Sequence, residues 1–439
     1  METERRPKIT VRALKFKGFT KSEKTAMTAY DPDLDRFISR ILNAETLKPR
    51  FICNPEPLLL AALGPFTHAQ TKWLSNIFSH NSRLFYAGSA TPCQLREWLQ
   101  DKVRRYGRPI AVLDDISAMD ANHNPDSFLF HKKVRAEQFI RKVLHHKVGY
   151  NHPAKDDPYP RGATFEDLFD AIQYVSISIG KYSGRVSHIN PSGVPDTSYK
   201  NSLMAILIRW AAMVHATFDI FEVDELYGDI HDSTIWRGQK KLAHFRHRHP
   251  IGMDQETANQ LFLRQMMCGL EIFHMAASGD DGLTYVSSEL TRADGPSVDE
   301  PCSFFHSQWT GVFDRERYRS CGSADWISRY IRIWNCAGFD IKVKVEKNFE
   351  LGTFLAQQPV LSSVGWEWAP EPARRLKHLF YKFESPVHPV AWCRGVARQY
   401  LEIARHCPLA NPICRWVLDT TKGPDAFVPG AFNPYNPIR

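Results

Sequence analysis

The stretch that decides the fold of this chain is Met275-Ala276-Ala277-Ser278-Gly279-Asp280-Asp281-Gly282-Leu283-Thr284-Tyr285-Val286. Its two apolar halves predict the strands of a β-hairpin, and the glycines and aspartates between them are typical of a tight turn. Glycine adopts the positive φ of such a turn without steric cost. The turn also presents the adjacent carboxylates of Asp280 and Asp281, which are candidate ligands for a divalent metal ion. Taken alone, an ordinary surface turn is the simpler explanation.

The composition predicts a large globular chain with a bias towards polyanionic partners. Its 439 residues are 43% apolar, enough to bury a core in one multi-lobed domain or in two to three ordinary ones. Lys and Arg number 56 against 48 Asp and Glu, so the net charge is +8. The N-terminus lacks a signal peptide's apolar core, and no apolar run is long enough to span a bilayer. We therefore expect an intracellular chain without a transmembrane segment of its own.

Nine cysteines are scattered along the chain without a Cys-x-x-Cys pair, which is typical of reduced thiols and not of a disulfide framework. Cys302, His306 and Cys321 could supply three zinc ligands, but their spacing is loose and no fourth ligand is evident. Buried free cysteines explain the pattern better.

A second pair of acids ends an apolar run upstream of the hairpin. Residues 108–115 begin with Arg-Pro and end in Asp114 and Asp115, which is the pattern of a buried strand, and Asp120 follows five positions later. A charge at the end of a buried strand needs compensation, and metal coordination is one way to supply it. Alternatively, these three acids cap the helix that is expected to begin near Asn124.

A loop with small residues leads into an amphipathic helix further along. Ser192 and Gly193 lie in this loop, and apolar side chains recur at helical spacing over residues 203–213. Thr197 and Asn201 are four positions apart and share one face of the helix, where a hydroxyl and an amide could recognise a ribose. Ordinary helix capping is the alternative for this pair.

Three basic segments are candidates for contacts with phosphate groups. The first ends in Lys21-Ser22-Glu23-Lys24. In the second, Lys48 and Arg50 flank a proline, which favours an extended backbone with both cations on one side. The third, residues 236–249, interleaves cations with aromatic rings and histidines, as single-stranded nucleic acid binding requires. Solvated basic surface is the alternative for all three, and for the third a helix face is at least as good an explanation.

Helix and strand patterns alternate downstream of the hairpin. Residues 324–337 predict an amphipathic helix that Gly338 ends. Strict alternation over residues 339–346 predicts a strand that buries its apolar side chains and exposes Lys342 and Lys344. Together these elements predict an α+β fold with an antiparallel sheet, followed by a mostly helical C-terminal region.

The order of these motifs resembles that of the RNA-dependent RNA polymerases of positive-strand RNA viruses, most closely tombusvirus-like and nodavirus-like replicases. The resemblance covers residues 21 to 358, and its matching segments are Lys21–Lys24 with Lys48–Arg50 (motif F), Asp115–Asp120 (A), Ser192–Asn201 (B), Gly279–Asp281 (C), Gly338–Lys342 (D) and Phe354–Gln357 (E). Asp114 departs from the pattern as an extra acid, so the choice of Asp115 depends on the spacing Asp-x-Ser-x-x-Asp. Longer stretches than in the family lie between Lys24 and Lys48 and at residues 218–249 and 287–321.

The resemblance implies a right-hand fold in which fingers, palm and a mostly helical thumb surround an RNA channel. The expected divisions are fingers with motif F at 1–108, palm with motif A at 109–135, a fingers insertion at 136–185, palm with motifs B to E at 186–360, and thumb with a Pro-rich tail at 361–439.

The resemblance also implies the chemistry of the site. Asp115 and Asp280 would bind two Mg²⁺ ions, about 3.5–4 Å apart in such sites, with Asp281 tuning them and Mn²⁺ as a substitute ion. Lys342 would donate a proton to the leaving pyrophosphate, with Lys344 as the alternative. The remaining substrate contacts would be to the phosphates and the ribose, from Lys48, Arg50, Asp120, Ser192, Gly193, Thr197 and Asn201.

Three functions are compatible with these motifs. The leading one is template-directed RNA synthesis for a viral genome, with RNA template, nascent RNA and NTPs as partners. Because the chain begins almost at motif F and related replicases carry more protein upstream, we expect a second viral replication protein or a fused upstream product to attach it to membranes in the host cytoplasm. The alternatives are a two-metal nuclease that uses the same acids, and a non-catalytic basic RNA-binding replication protein.

Overall fold

The computed structural model describes residues 15–20, 26–31, 36–41, 51–138, 164–226, 242–291, 312–313, 315–370, 388–403, 407–408 and 410–425. The chain divides into two compact units: Met1–Gln70 with Asp120–Thr197, and Thr71–Met119 with Ser198–Arg439. The described chain contains helices together with sheets whose strands pair mostly antiparallel, so the predicted α+β class is confirmed.

The described strands are β1 Lys15–Thr20, β2 Ala26–Asp31, β3 Arg36–Ile41, β4 Phe51–Pro55, β5 Leu84–Tyr86, β6 Ile110–Ile116, β7 Tyr174–Ile179, β8 Tyr182–Ser187, β9 Phe221–Leu226, β10 Leu242–His247, β11 Phe273–Ser278, β12 Asp281–Val286, β13 Ile341–Glu346, β14 Gln357–Ser362 and β15 Gly365–Pro370. The described α-helices are α1 Pro57–Ile77, α2 Pro92–Tyr106, α3 Met119–Asn122, α4 Pro125–Gln138, α5 Phe165–Ala171, α6 Thr197–Phe218, α7 Gln255–Gly269, α8 Ala324–Cys336, α9 Pro389–Ile403 and α10 Ala410–Thr420.

The second unit contains a five-stranded sheet in the order β13-β6-β12-β11-β5. Neighbouring strands are antiparallel except β11 and β5. The predicted hairpin is formed by β11 and β12, and its turn consists of Gly279, at a φ of +64°, and Asp280. Left-handed backbone of this kind favours glycine. The turn is shorter than the predicted tip, because Asp281 and Gly282 already pair within the sheet.

Aromatic side chains cover one face of this sheet. Tyr285 stacks on Trp98, with ring centroids 5.3 Å apart, and its edge meets Phe349. Burial of a large apolar side chain contributes roughly 1.5–3 kcal/mol, so this cluster anchors the strands that carry the candidate acids. Its buried members are Phe85, Ala87, Ala90, Leu95, Trp98, Leu99, Tyr106, Ala111, Ala276, Leu283, Tyr285, Phe349, Phe354 and Trp368.

Helices α6 and α8 contact the opposite face of the sheet. Both reach Asp114, whose side chain points away from the aromatic face because neighbouring side chains of a strand alternate. The two helices also bind each other, since the indole N–H of Trp326 donates to Thr217 Oγ1 at 3.1 Å. As predicted, α8 follows a capping residue, Ser323, and ends before Gly338, which has a φ of +87°.

The first unit contains a four-stranded sheet in the order β4-β1-β7-β8, in which β1 and β7 are parallel. Its buried core is Phe16, Leu59, Leu63, Leu168, Phe169, Ala171, Ile172, Val175 and Val194. The helix expected near Asn124 is α4, and Asn124 Oδ1 accepts the Ser127 N–H at 3.0 Å. Asn124 therefore caps this helix, which is the role that the alternative gave to the three upstream acids.

Two segments differ from the predictions. Residues 242–247 of the third basic segment form strand β10, paired with β9, and not a helix. Phe354–Gln357, matched to the primer-grip strand, is a tight turn in which Leu355 and Ala356 have φ values of 53° and 57°. Strands β14 and β15 follow it as a hairpin, so the predicted boundary at 360 falls inside β14. The boundary predicted at 108 likewise falls inside the second unit.

The C-terminal part of the described chain is helical after β15. Helices α9 and α10 pack through a small buried cluster, Val396, Ala397, Tyr400, Cys414 and Val417. Within the described ranges, no helix has both the length and the apolar content needed to cross a membrane.

Candidate active site

Three charged side chains of the predicted site stand in one row across the central sheet. Asp115 on β6 is directly opposite Asp281 on β12 and directly opposite Lys342 on β13. Directly opposed residues of antiparallel strands share a face and have Cβ atoms about 4.5–5.5 Å apart. The sheet register thus brings Asp115 together with Asp281 and Lys342, which lie 166 and 227 positions later in the sequence.

This row is open to solvent. Asp115, Asp281 and Lys342 are all exposed, although the rest of β6 and β12 is largely buried. They line a cleft of about 260 Å³, which the backbone turn at Thr353 and Phe354 borders. Asp280 lies in the hairpin turn itself, one residue before the register pair, and is also exposed.

The donor set of the row fits a magnesium ion better than a zinc ion. Among the described residues, no group of three or more His, Cys, Asp or Glu side chains is arranged to hold a metal ion. Mg²⁺ does not require such a cage, because it keeps several waters and is usually bound by one or two carboxylates together with substrate phosphates. The opposed carboxylates of Asp115 and Asp281 supply that minimum.

The extra acid, Asp114, has a different environment from its neighbour. Its side chain is fully buried and is bound by Arg209 from α6, with Nε 2.8 Å from Oδ2 and Nη2 on Oδ1. The phenol of Tyr330 on α8 donates to the same carboxylate. These contacts occupy the Asp114 carboxylate, so Asp115, which is exposed, is the acid of the pair that is available to a ligand in the cleft.

Arg209 is the centre of this buried cluster. It is fully buried, and its guanidinium lies 5.6 Å from the centroid of the Trp334 ring. Burial favours the neutral form of an arginine, but the charge of Asp114 outweighs it and holds the pKa of Arg209 above its usual value. The same burial, with the Asp114 charge, raises the pKa of Tyr330. Arg209 is therefore a fixed cation beneath the site.

The sequence interpretation missed this cluster. A signal for it was present: Arg209 interrupts the apolar face of a helix, and Asp114 extends an apolar strand with an unexplained acid. A lone charge on an apolar helix face needs a buried partner. Neither position identifies the other, because 95 residues separate them.

The hairpin turn is held from the same helix. The backbone N–H of Gly279 donates to Ser202 Oγ at 2.8 Å, and Ser202 is fully buried next to Asn201. A Cβ at Gly282 would overlap both Arg209 Nη2 and Asp114 Oδ1. The two glycines that flank the paired acids thus have separate causes, a left-handed turn at Gly279 and a close side-chain approach at Gly282.

Four of the predicted substrate residues that the structure describes lie in the first unit. The N–H of Asn190 donates to the carbonyl oxygen of Asp120 at 2.8 Å, which joins the short helix α3 to the Ser-Gly loop. Thr197 Oγ1 donates to the carbonyl of Pro191 at 2.7 Å and closes this loop. Ser192 is exposed, and its Oγ accepts the Cys53 N–H at 3.3 Å.

A glycine is required at position 193 because the backbone there packs closely against the backbone of β4 in the same unit. A Cβ at this position would overlap the carbonyl oxygen of Cys53 on β4. The loop therefore packs its backbone directly against a strand that follows Lys48 and Arg50 in sequence. Lys48 and Arg50 themselves, and the segment from Lys21 to Lys24, lie outside the described residues.

Asn201 lies in the second unit, on α6, and is largely buried. The weak zinc candidates are not brought together within the described chain, because Cys302 and His306 lie outside it. Cys321 is buried, and burial raises the pKa of its thiol to about 12. A thiol in that state is an unreactive core side chain.

Comparison with known proteins assigns no role to any of these residues, so their roles are inferred from the geometry. No protein-family model matches the chain, and no curated protein has significant sequence similarity to it.

Proposed function

We propose that this chain is an RNA-dependent RNA polymerase, which transfers nucleotides from NTPs to an RNA 3′-hydroxyl. The observation that supports this function best is the exposed row of Asp115, Asp281 and Lys342 on neighbouring strands, beside a hairpin turn that presents Asp280. Two acids and a cation at one cleft provide what nucleotidyl transfer needs: ligands for divalent metal, and a proton donor.

Asp115 and the hairpin acids would hold the metal ions. The resemblance assigns the second ligand to Asp280, whereas the strand register favours Asp281, which directly faces Asp115. When bound, Mg²⁺ or Mn²⁺ supplies activation of the 3′-hydroxyl and neutralisation of the triphosphate charge. Asp115, in an exposed position near the end of a buried strand, would be accessible to such an ion.

Lys342 would protonate the departing pyrophosphate. It stands opposite Asp115, so its ammonium group belongs to the same row as the acids. Lys344 faces the same way but is paired with Glu346 two residues further on. This pairing favours Lys342 as the acid, because a donor already bound to a carboxylate must first release it.

The remaining roles follow the resemblance. Asp120, Thr197 and Asn201 would select the ribose 2′-hydroxyl, with Ser192 and Gly193 shaping the loop, and Lys48 and Arg50 would grip the phosphates. We extend the proposal to a right-hand arrangement of fingers, palm and thumb. In an infected cell the chain would act on viral RNA in the cytoplasm, attached to membranes through a second replication protein.

The test is incorporation of labelled NTP on a primed RNA template with Mg²⁺ by wild type, Asp280→Asn and Asp281→Asn. We expect template-dependent extension that chelation abolishes and that falls in both variants, with the larger loss identifying the principal metal ligand. Degradation of the RNA would instead support the nuclease, and binding without either reaction would support the RNA-binding protein. Either of these results contradicts the proposal.

A further inference from the structure

We propose that Asp114, Arg209 and Tyr330 are positioning residues, which hold the strands of the two cleft carboxylates at the spacing that a divalent metal ion requires. This inference rests on the proposed function, because the metal ion concerned is that of the nucleotidyl-transfer site. It adds a buried set of residues to a site that was otherwise defined by exposed ones.

One buried carboxylate connects the elements that carry the site. Asp114 immediately precedes Asp115 on β6. Arg209 is on α6, the helix whose Ser202 also binds the hairpin turn at Gly279. Tyr330 is on α8, which leads directly into the strand of Lys342. Contacts to Asp114 thus fix β6, α6 and α8 relative to one another.

The cluster lies directly behind the acids. Asp114 is the register partner of Gly282, and the next pair along the same two strands is Asp115 with Asp281. Because side chains alternate along a strand, these two pairs project from opposite faces of the sheet. The Arg209 guanidinium binds Asp114 and at the same time abuts Gly282, where a Cβ would overlap it. It therefore sets the position of β12 against β6 one residue away from the acids.

Stability alone does not account for a charged cluster at this place. Apolar side chains of similar volume stabilise a core as well as a buried ion pair does, and often better. What a bidentate guanidinium and a phenol add is direction, because their hydrogen bonds require a defined geometry at the carboxylate. Partners of this kind behind metal ligands commonly change metal affinity when they are removed.

The test replaces the ion pair without leaving an unpaired charge, in the double variant Asp114→Leu with Arg209→Met. Binding of Mn²⁺ in the presence of ATP is measured by the loss of the free-ion electron paramagnetic resonance signal. We expect a thermal midpoint close to that of wild type, unchanged affinity for primed RNA, and a Mn²⁺ concentration at half-saturation that rises about tenfold. The half-saturating Mg²⁺ concentration for extension should rise in parallel.

A second variant, Tyr330→Phe, removes one hydrogen bond without altering charge, and it serves if the double variant does not fold. We expect its half-saturating Mn²⁺ concentration to rise about threefold. The matched control is Tyr182→Phe at a side chain that is 71% exposed, which should change nothing.

The outcomes separate this inference from the proposed function. A folded variant with the metal dependence of wild type overturns the positioning role, as does wild-type protein that binds no Mn²⁺. Wild-type protein that binds Mn²⁺ but incorporates no nucleotide refutes the polymerase and leaves the positioning role standing.

Discussion

Asp114 and Asp115 are consecutive residues of one strand, yet the structure gives them opposite environments. Asp114 is buried against a guanidinium and a phenol, whereas Asp115 is exposed in a cleft beside another acid and a lysine. The same alternation separates Gly282 from Asp281 on the neighbouring strand. The two faces of this sheet thus differ in role. The face with Asp114 holds strands and helices in position, and the face with Asp115 presents charged side chains to a ligand.

The comparison also explains why the two acids are not interchangeable. The buried Asp114 carboxylate already accepts three hydrogen bonds, two from Arg209 and one from Tyr330, so it is not available to a cation in the cleft. An exposed carboxylate opposite another acid gains from binding one, because a cation relieves the repulsion between them. Substitutions on the two faces should therefore have different signatures, loss of stability on one and loss of chemistry on the other.

Arg209→Met should give the largest loss of stability. It leaves Asp114 buried with one neutral donor, and breaking a buried pair in this way costs about 3–5 kcal/mol. The matched control is Arg246→Met, because Arg246 pairs with Glu222 at 3.3 Å with a side chain that is 71% exposed. An exposed pair contributes about 0–1 kcal/mol. Urea unfolding of both variants measures the difference in the free energy of unfolding. Equal losses would contradict the claim that the buried Asp114–Arg209 pair contributes more to stability than an exposed pair.

Gly282→Ala should destabilise by about 3 kcal/mol, at the upper end of the usual cost of overpacking. Its new methyl group would overlap the buried Arg209 and Asp114, which have no free space to move into. Gly184→Ala on the exposed strand β8 is the control, because a Cβ there meets nothing within 4 Å. This control should stabilise by about 0.5–1 kcal/mol, because alanine loses less backbone entropy than glycine in a strand. Thermal unfolding of both proteins should show a lower midpoint for Gly282→Ala and a higher midpoint for the control than for wild type.

Lys342→Ala should reduce the maximal rate of extension about 100-fold while leaving stability unchanged, since the side chain is exposed and acts as a proton donor. Lys344→Ala is the matched control on the same strand face, and its rate should fall less than about threefold. Single-turnover extension at saturating NTP gives both rates. A larger effect at Lys344 would transfer the role of the acid to that residue.

Lowering the pH should reduce the stability of the protein, because His274 on β11 is buried. Its ring is buried against Tyr106, and burial lowers the pKa of His274 to about 2. The unfolded chain takes up a proton near pH 6.5 and the folded chain does not, so stability is complete above that pH and falls as the pH drops. At pH 5 the loss is about 2 kcal/mol. His274→Gln should flatten this pH dependence, whereas His249→Gln at an exposed ring should not, as urea unfolding at pH 7 and pH 5 will show.

Local sequence patterns predict most of the helices and strands that carry the site. The hairpin, the strand that ends in Asp115, helix α8 and the alternating strand of Lys342 were all evident from apolar periodicity and glycine positions, because those signals depend on neighbours in sequence. The exposure of both lysines followed from the same alternation. These elements required no knowledge of what packs against them.

Long-range pairing accounts for what the sequence did not predict. Arg209 and Asp114 are each understandable only once β6 and α6 are adjacent, and Asp281 faces Asp115 only through the register of the sheet. The turn at Leu355 and Ala356 contains no glycine that would indicate its positive φ values, so the sequence pattern predicts a strand there. In β10, apolar and basic residues fit either period, and its pairing with β9 decided the structure.

The most direct test of the account is extension of primed RNA by Asp115→Asn beside Asp114→Asn, with the thermal midpoint of each protein measured on the same preparation. We predict that Asp115→Asn lowers the rate at least about 1,000-fold, equivalent to about 4 kcal/mol, and keeps the midpoint of wild type. We predict that Asp114→Asn lowers the midpoint and that high Mg²⁺ partly restores its rate. Undiminished extension by a folded Asp115→Asn protein would contradict the claim that the exposed row performs the chemistry.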